Sequence, residues 1–502
     1  MPKPLDIIFL HPNASQNIYQ DLSLNYSAIE PPIWAALLAK HCWTKGFNVE
    51  LMDCEALHMT DDDASYHIKN MAPRILAFVV YGQQPSASSQ NMDGALRLAE
   101  KIKQQYPEIK ILFVGGHISA LPRETLEKYS FIDFVCQNEG VFTISNLLRV
   151  TNLNDNNQLA NVTGLGFRFE VDNIKGINLN LQSSNVSQEQ LQTELPGMMW
   201  DLLPMKHYRT ALWHSLSNGA ERQPFAALYT SLGCPFSCSF CCINAPFGKS
   251  SFKYWNPEFI INEFDYLAKL GIKNIKIADE MFVMNPNHFM KLCDLIIERG
   301  YKFNIWAYAR VDITKQEYLE TLKKAGVNWL ALGIESSNRR VRKDVYKGRF
   351  ENTDIEGVVN RIREQGINVM GNYIFGLPED DVESMQETLD LAIHMNTEGA
   401  NFYSAMAYPG SALYKQAIEQ GWKLPENHSG FSQHSYDCQP LPTKYIGADV
   451  VLKFRDEAWQ KYHTGDRYLD MIKNKFGQRA YDETVSSAKI KLKRKLLNPI
   501  VV

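Results

Sequence analysis

"FAALYTSLGCPFSCSFCCINAPFG" (residues 225–248) sets how the rest of the chain is read. An apolar run, "FAALYTSL" (225–232), leads into a loop that carries four of the chain's nine cysteines. Cys234, Cys238 and Cys241 are spaced C-x3-C-x2-C. Thiolates are soft ligands that suit iron–sulfur clusters or zinc. A structural zinc site wants four closed ligands. Three ligands on one loop, with no fourth at matching spacing, suit a cubane with one iron left open. Cys242 would point away from its neighbour Cys241 and reads as a packed thiol, and Phe240 reads as a shield over the cluster or a face for an aromatic cofactor.

Working outward, five more short apolar runs follow "FAALYTSL": "IKNIKIAD" (272–279), "KFNIWAYA" (302–309), "NWLALGIE" (328–335), "INVMGNYIFG" (367–376) and "GANFYSAM" (399–406). Amphipathic stretches such as "PEFIINEFDYLAKLG" separate them, which predicts a partial parallel (βα)6 barrel over 223–410. Upstream, residues 1–150 alternate strand-like and helical patterns, from "LDIIFLHP" to "FIDFVCQ". That pattern predicts a doubly wound, Rossmann-like parallel sheet covered on both faces. Residues 151–222 are rich in Asn and Gln and read as an inserted hairpin near "VTGLGFRFEVDN" plus a linker. Residues 411–502 read as a small, mainly helical appendage. The fold class is therefore α/β.

At 502 residues, several domains are expected. A net charge of −4, with 45% hydrophobic and 22% charged residues, gives no nucleic-acid footprint. No signal segment or membrane-length apolar run is evident, so a cytoplasmic, reducing location is expected, where clustered cysteines point to metal or redox chemistry. The basic tail, Lys489 to Lys495, reads as a solvated helix end.

C-x3-C-x-aromatic-C at the end of a first barrel strand resembles the radical S-adenosylmethionine (SAM) enzymes. The resemblance implies a [4Fe-4S] cluster on Cys234, Cys238 and Cys241, SAM bound at the open iron, and reductive cleavage to a 5′-deoxyadenosyl radical. It also implies a flavodoxin- or ferredoxin-type electron donor. Strand ends then offer SAM contacts: Asp279 and Glu280 in "IADEMF", Arg310 in "YARVD", and Glu335 and Ser336 in "GIESSN". "IFGLPED" (374–380) resembles the family's Gly-Leu-Pro turn. The family's Gly-Gly-Glu run after the second strand is replaced here by "ADE".

The N-terminal sheet resembles the cobalamin-binding domain of one large radical SAM subclass, through "FVGGHISALPRETLEKYSFIDFVCQNEG" (113–140) and "YGQQPSASSQN" (81–91). That resemblance implies cobalamin contacts from Gly115, Gly116, His117, Ser86 and Ser88. The Asp-x-His-x-x-Gly cobalt-ligand motif is absent, so no protein histidine is expected on cobalt. A radical SAM methylthiotransferase fits poorly, because Cys42, Cys54 and Cys136 are scattered. The expected function is a cobalamin-dependent radical SAM C-methyltransferase; Tyr308, Tyr373, Tyr403 and Tyr408 lie near strand ends, where tyrosines line a substrate site as often as they pack in the core or rim. Ring closure without methyl transfer, or a non-catalytic cobalamin sensor, are the alternatives. The substrate, whether a small molecule, sugar, lipid or peptide, is left open.

Overall fold

The computed structural model describes residues 4–82, 84, 87–171, 174–180, 182, 184–345 and 353–498. The first sheet is built on β1 (Ile7–His11), β2 (Val49–Asp53), β3 (Ile75–Val79), β4 (Lys110–Val114) and β5 (Phe134–Cys136), all parallel, in the order β2-β1-β3-β4-β5. Apolar side chains fill both faces. Ile7, Phe9, Ala77 and Val114 enter one core; Ile8, Leu10, Phe78 and Phe113 enter another. The first of these cores runs on without a break into the barrel, where it includes Phe225, Ile275 and Trp329. The sheet and the barrel are thus packed as one body.

The expected hairpin forms, but not as a separate insertion. β6 (Leu165–Val171) pairs antiparallel with β5, and β7 (Ile174–Leu179) with β6, so the pair completes a seven-stranded sheet.

The second sheet holds six parallel strands, in the order β15-β14-β13-β12-β11-β8. They are β8 (Phe225–Leu228), β11 (Asn274–Ile277), β12 (Asn304–Arg310), β13 (Val327–Glu335), β14 (Asn368–Phe375) and β15 (Gly399–Ser404). A short antiparallel pair, β9 (Ser231–Leu232) and β10 (Lys253–Tyr254), brackets the cysteine loop. Alternation along the strands sends one residue in two to the barrel interior. The register sets Lys276 level with Ala227 on one side and Trp306 on the other. Below them, Asn304 donates to Asn274 (2.9 Å) and accepts from Asn328 (3.1 Å), and His214 lies 3.0 Å from the Asn304 carbonyl. These polar contacts close the barrel floor.

The C-terminal region is helical over Ala448–His463, Asp466–Phe476 and Gln478–Ala488. Ahead of these helices, the segment 427–434 reaches back to the first domain. Asp93 accepts from the amides of His428 (3.1 Å) and Ser429 (2.6 Å), and Ser432 donates to the Ile18 carbonyl (2.9 Å). The basic tail is not the solvated helix end expected. Helix stops at Ala488, and Arg494 is buried, bonded to Asp456 and to the carbonyls of Gln433 and Ser435.

One ion pair fastens the end of the first sheet to the ribbon that brackets the cysteine loop. Glu139 follows β5 and is fully buried; Lys253 opens β10. Lys253 donates to Glu139 and to the Val186 carbonyl (2.8 Å), while Glu139 accepts the Val186 amide (2.7 Å). Removing one member of such a pair strands a buried charge, which costs about 3–5 kcal/mol. Lys253→Met is therefore predicted to lower the urea midpoint strongly, and Glu139→Gln in the same chain to restore much of it.

Candidate active site

The cysteine loop is positioned from below by Asp279. Its carboxylate accepts the Thr230 amide (2.6 Å), the Thr230 hydroxyl (2.5 Å) and the Ser231 hydroxyl (2.7 Å). Burial pushes this acid up to about 6, against those bonds. Asp279, expected as a SAM contact, thus has its oxygens engaged in holding the strand end from which the loop departs.

The loop is braced at its middle as well. Ser239 donates its amide to the Val345 carbonyl (3.1 Å) and accepts from the Leu413 amide (2.9 Å); Cys241 donates to the Cys238 carbonyl (3.0 Å). Phe240 packs against two apolar clusters, one with Val341 and Leu377 and one with Leu413 and Leu441, so it anchors the loop. Cys234, Cys238 and Cys241 are all half-buried and free; Cys242 is buried. Burial pushes Cys234 up to about 11 and Cys241 up as well, so these thiols carry protons until a metal displaces them. Among the described residues no three ligand side chains converge on one metal ion. A cubane does not need them to, since each thiolate takes a different iron. Three soft donors on one braced loop fit that group.

Glu280 stands beside the loop, close enough to Cys234 to raise its pKa. Its Oε2 is buried without a hydrogen-bond partner among the described residues, and burial pushes the acid up to about 8. Such an orphaned carboxylate is costly unless something cationic or donating meets it. Arg310 ends β12 on the same rim. It forms a two-pronged pair with Asp312 (2.9 and 2.9 Å) and stacks on Phe236 of the loop, 3.9 Å from the ring centre. Glu335 closes β13 at a register shift, with a left-handed φ of 64° that a side-chain-bearing residue adopts only under strain. Ser336 turns the other way, 3.1 Å from Thr388.

Across from the loop lie the carboxyl ends of β3 and β4. Gly116 and Ser88 face Cys242, Ile243 and Pro246 over a narrow gap that Glu280 also lines. Trp34 and Tyr81 stack there at 4.8 Å. Gly116 lies against Pro246 across this gap, while Ser88, expected as a cobalamin contact, has its hydroxyl engaged: it donates to the Val80 carbonyl and accepts the His117 amide (2.9 Å). Gly115 plays a different part: a Cβ there would lie 2.3 Å from the Val80 carbonyl oxygen, so its bareness serves the packing of β4 against β3. His117 is turned away, with Ser89 2.9 Å from its Nδ1 and His428 packed edge-on at 4.8 Å. His11 lies 3.4 Å from Glu55. Ser86 lies outside the described residues.

The gap opens into a cavity of about 420 Å³ between the two sheets. Tyr308, Tyr403 and Tyr408 line it; Tyr373 packs in the core against Phe402 (5.4 Å). Sequence reasoning passed over Glu30, Lys276, Tyr19 and His434, which also line it. The one available signal was Lys276, a charge at an inward position of an otherwise apolar strand.

Residues 228–392 match the family model of the Radical SAM superfamily, and residues 20–148 that of the B12 binding domain. The chain is 27% identical over 446 residues to Uncharacterized methyltransferase PH0819 of Pyrococcus horikoshii, covering 88% of this chain and 89% of that one. It is 22% identical to the anaerobic magnesium-protoporphyrin IX monomethyl ester cyclase of Cereibacter sphaeroides, over 82% of this chain and 64% of that one. Its fold is shared with the radical SAM methyltransferase TsrM of Kitasatospora setae (TM-score 0.61, 15% identity, 83% of this chain and 75% of that one). The cobalamin-dependent radical enzyme OxsB shares it too (TM-score 0.66, 16% identity, 96% of this chain and 70% of that one). No described helix is long and apolar enough to cross a membrane. With both family matches falling on the two halves of one cavity, the chain belongs to the cobalamin-binding branch of the radical SAM superfamily, as an enzyme whose cofactors are a [4Fe-4S] cluster, SAM and cobalamin.

Proposed function

We propose that this enzyme transfers a methyl group to an unactivated carbon of a small-molecule substrate held in the cavity between the two sheets. The observation that carries the reading is that cavity. It is bounded by the B12-domain edge on one side and by the barrel mouth on the other, with the cysteine loop a few side chains away. When bound, the cofactors supply a carbon-centred radical able to take hydrogen from a C–H bond and a methyl group to replace it.

The chain's own residues do the holding. Cys234, Cys238 and Cys241 would bind three irons, with Asp279 fixing the strand end beneath them. Glu280 would accept a hydrogen bond from the amino group of SAM, satisfying its orphaned oxygen, and Arg310 and Glu335 would border the same molecule. Gly116, Trp34 and Tyr81 would border the corrin, with Ser88 holding the β3 and β4 ends behind them. The buried aromatic walls exclude water, which keeps a radical from side reactions.

Likeness to the magnesium-protoporphyrin ester cyclase favours a second reading, ring closure on the same two cofactors without methyl transfer. Turnover with trideuteromethyl-labelled SAM separates the two. Methylation predicts a product heavier by the labelled methyl; ring closure predicts an unlabelled product and would overturn the methyl-transfer reading.

A charge-assisted hydrogen bond contributes about 1.5–3 kcal/mol. Glu280→Gln is thus predicted to weaken SAM binding to the cluster-loaded protein roughly 10- to 100-fold by the same relation. Equilibrium dialysis measures it, and unchanged affinity would remove Glu280 from the SAM site.

A further inference from the structure

The cavity also holds an ion pair that no cofactor role absorbs. Lys276 sits on β11, inside the barrel, and is 8% exposed. Its Nζ donates to both oxygens of Glu30 (2.9 and 3.1 Å) and lies 4.9 Å from the ring centre of Trp306. Glu30 does not belong to the barrel. It comes from the first domain, where the bridge between Ile29 and Arg209 (2.9 and 3.0 Å) and the following Pro31 and Pro32 fix its backbone.

Lys276 keeps 10% of its side chain exposed and Glu30 29%; drawing such a pair even partly out of water is costly, and an apolar replacement of equal volume is often as stable. Here both members of the pair line the cavity, together with Trp213, Met370 and Gly399. An ammonium has three donors and a carboxylate about four acceptor sites. Lys276 and Glu30 spend theirs only on each other among the described residues, and both face the cavity. What remains is a donor and an acceptor side by side in the wall of an aromatic-lined chamber. Trp306, Tyr308 and Tyr403 form those walls.

We propose that Lys276 and Glu30 are the substrate's polar anchor. The group they take offers an acceptor next to a donor, as the carboxylate and ammonium of an α-amino acid do. The body between the aromatic walls is flat and apolar. This rests on reading the cavity as the substrate chamber. Trp306, level with Lys276, is four residues below Arg310 at the rim on β12. At ~3.3 Å per residue that is roughly 13 Å, so the reacting carbon lies at the end of the substrate remote from the anchored group.

The test uses the cluster- and cobalamin-loaded protein under anaerobic calorimetry. The probes are L-tryptophan, a small flat aromatic with both groups; indole-3-propionate and tryptamine, with one each; and indole, with neither. Wild type is expected to bind L-tryptophan at least tenfold more tightly than indole. Lys276→Met should cost affinity for L-tryptophan and indole-3-propionate but not tryptamine. Glu30→Gln should cost affinity for L-tryptophan and tryptamine but not indole-3-propionate. Should either single variant fail to fold, the double variant Lys276→Met/Glu30→Met, which strands no charge, is expected to fold and to bind L-tryptophan no better than indole. No binding of any probe, equal binding of L-tryptophan and indole, or variants that bind as wild type would overturn the anchor. Formation of 5′-deoxyadenosine by wild type is followed separately. Its absence counts against the radical reading, whereas its presence with no anchor effect counts against Lys276 and Glu30 alone.

Discussion

The buried contact between Lys253 and Glu139 is the constraint on which the rest of the molecule turns. Two parallel sheets each gather their loops at the carboxyl ends of their strands, the usual place for a ligand in either fold. Side by side, the two would make two separate sites. Here Glu139, at the carboxyl end of the first sheet, is bonded to Lys253 on the return strand of the cysteine loop, with Val186 of the linker closing the triangle. The carboxyl edges therefore face one another across a single chamber. The C-terminal segment adds a second tie, through His428 and Ser429 to Asp93, on the far side of that chamber.

Within this frame the chemistry is divided by position. The cysteine loop hangs from Asp279 and is braced by Val345 and Leu413, so its three half-buried thiols are held by backbone rather than by each other. Glu280 and Arg310 flank it from the next two strands of the sheet. The opposite wall is made of small groups, Gly116 and Ser88, and of the stacked Trp34 and Tyr81. A radical intermediate tolerates neither water nor freedom of position. Buried tyrosines and tryptophans on most sides of the cavity address both needs at once.

Much of this was legible in the sequence, and for local reasons. Eleven strands announced themselves as short apolar runs bounded by turns, and the cysteine spacing lies within one loop. Glu280 stood out because it ends a barrel strand. What escaped is held by distant partners. Lys276 meets Glu30 across 246 residues, and Lys253 meets Glu139 across 114; no spacing rule links such pairs. Asp279, Ser336 and His117 were singled out by strand-end position alone, which cannot tell a side chain aimed at a ligand from one tied to Thr230, Thr388 or Ser89. Gly115 suggested an opening for a cofactor, yet its bareness is taken up by Val80. The hairpin looked like an insertion because its polar outer strand hides its pairing to β5.

The central claim is that both metal cofactors share one chamber. Electron paramagnetic resonance of protein loaded with reduced cluster and cob(II)alamin tests it most directly, since both centres are paramagnetic. Shared occupancy predicts that each centre speeds the other's spin relaxation and broadens its lines, relative to protein loaded with one alone. Two spectra that simply add, with both centres at full occupancy, would contradict the account.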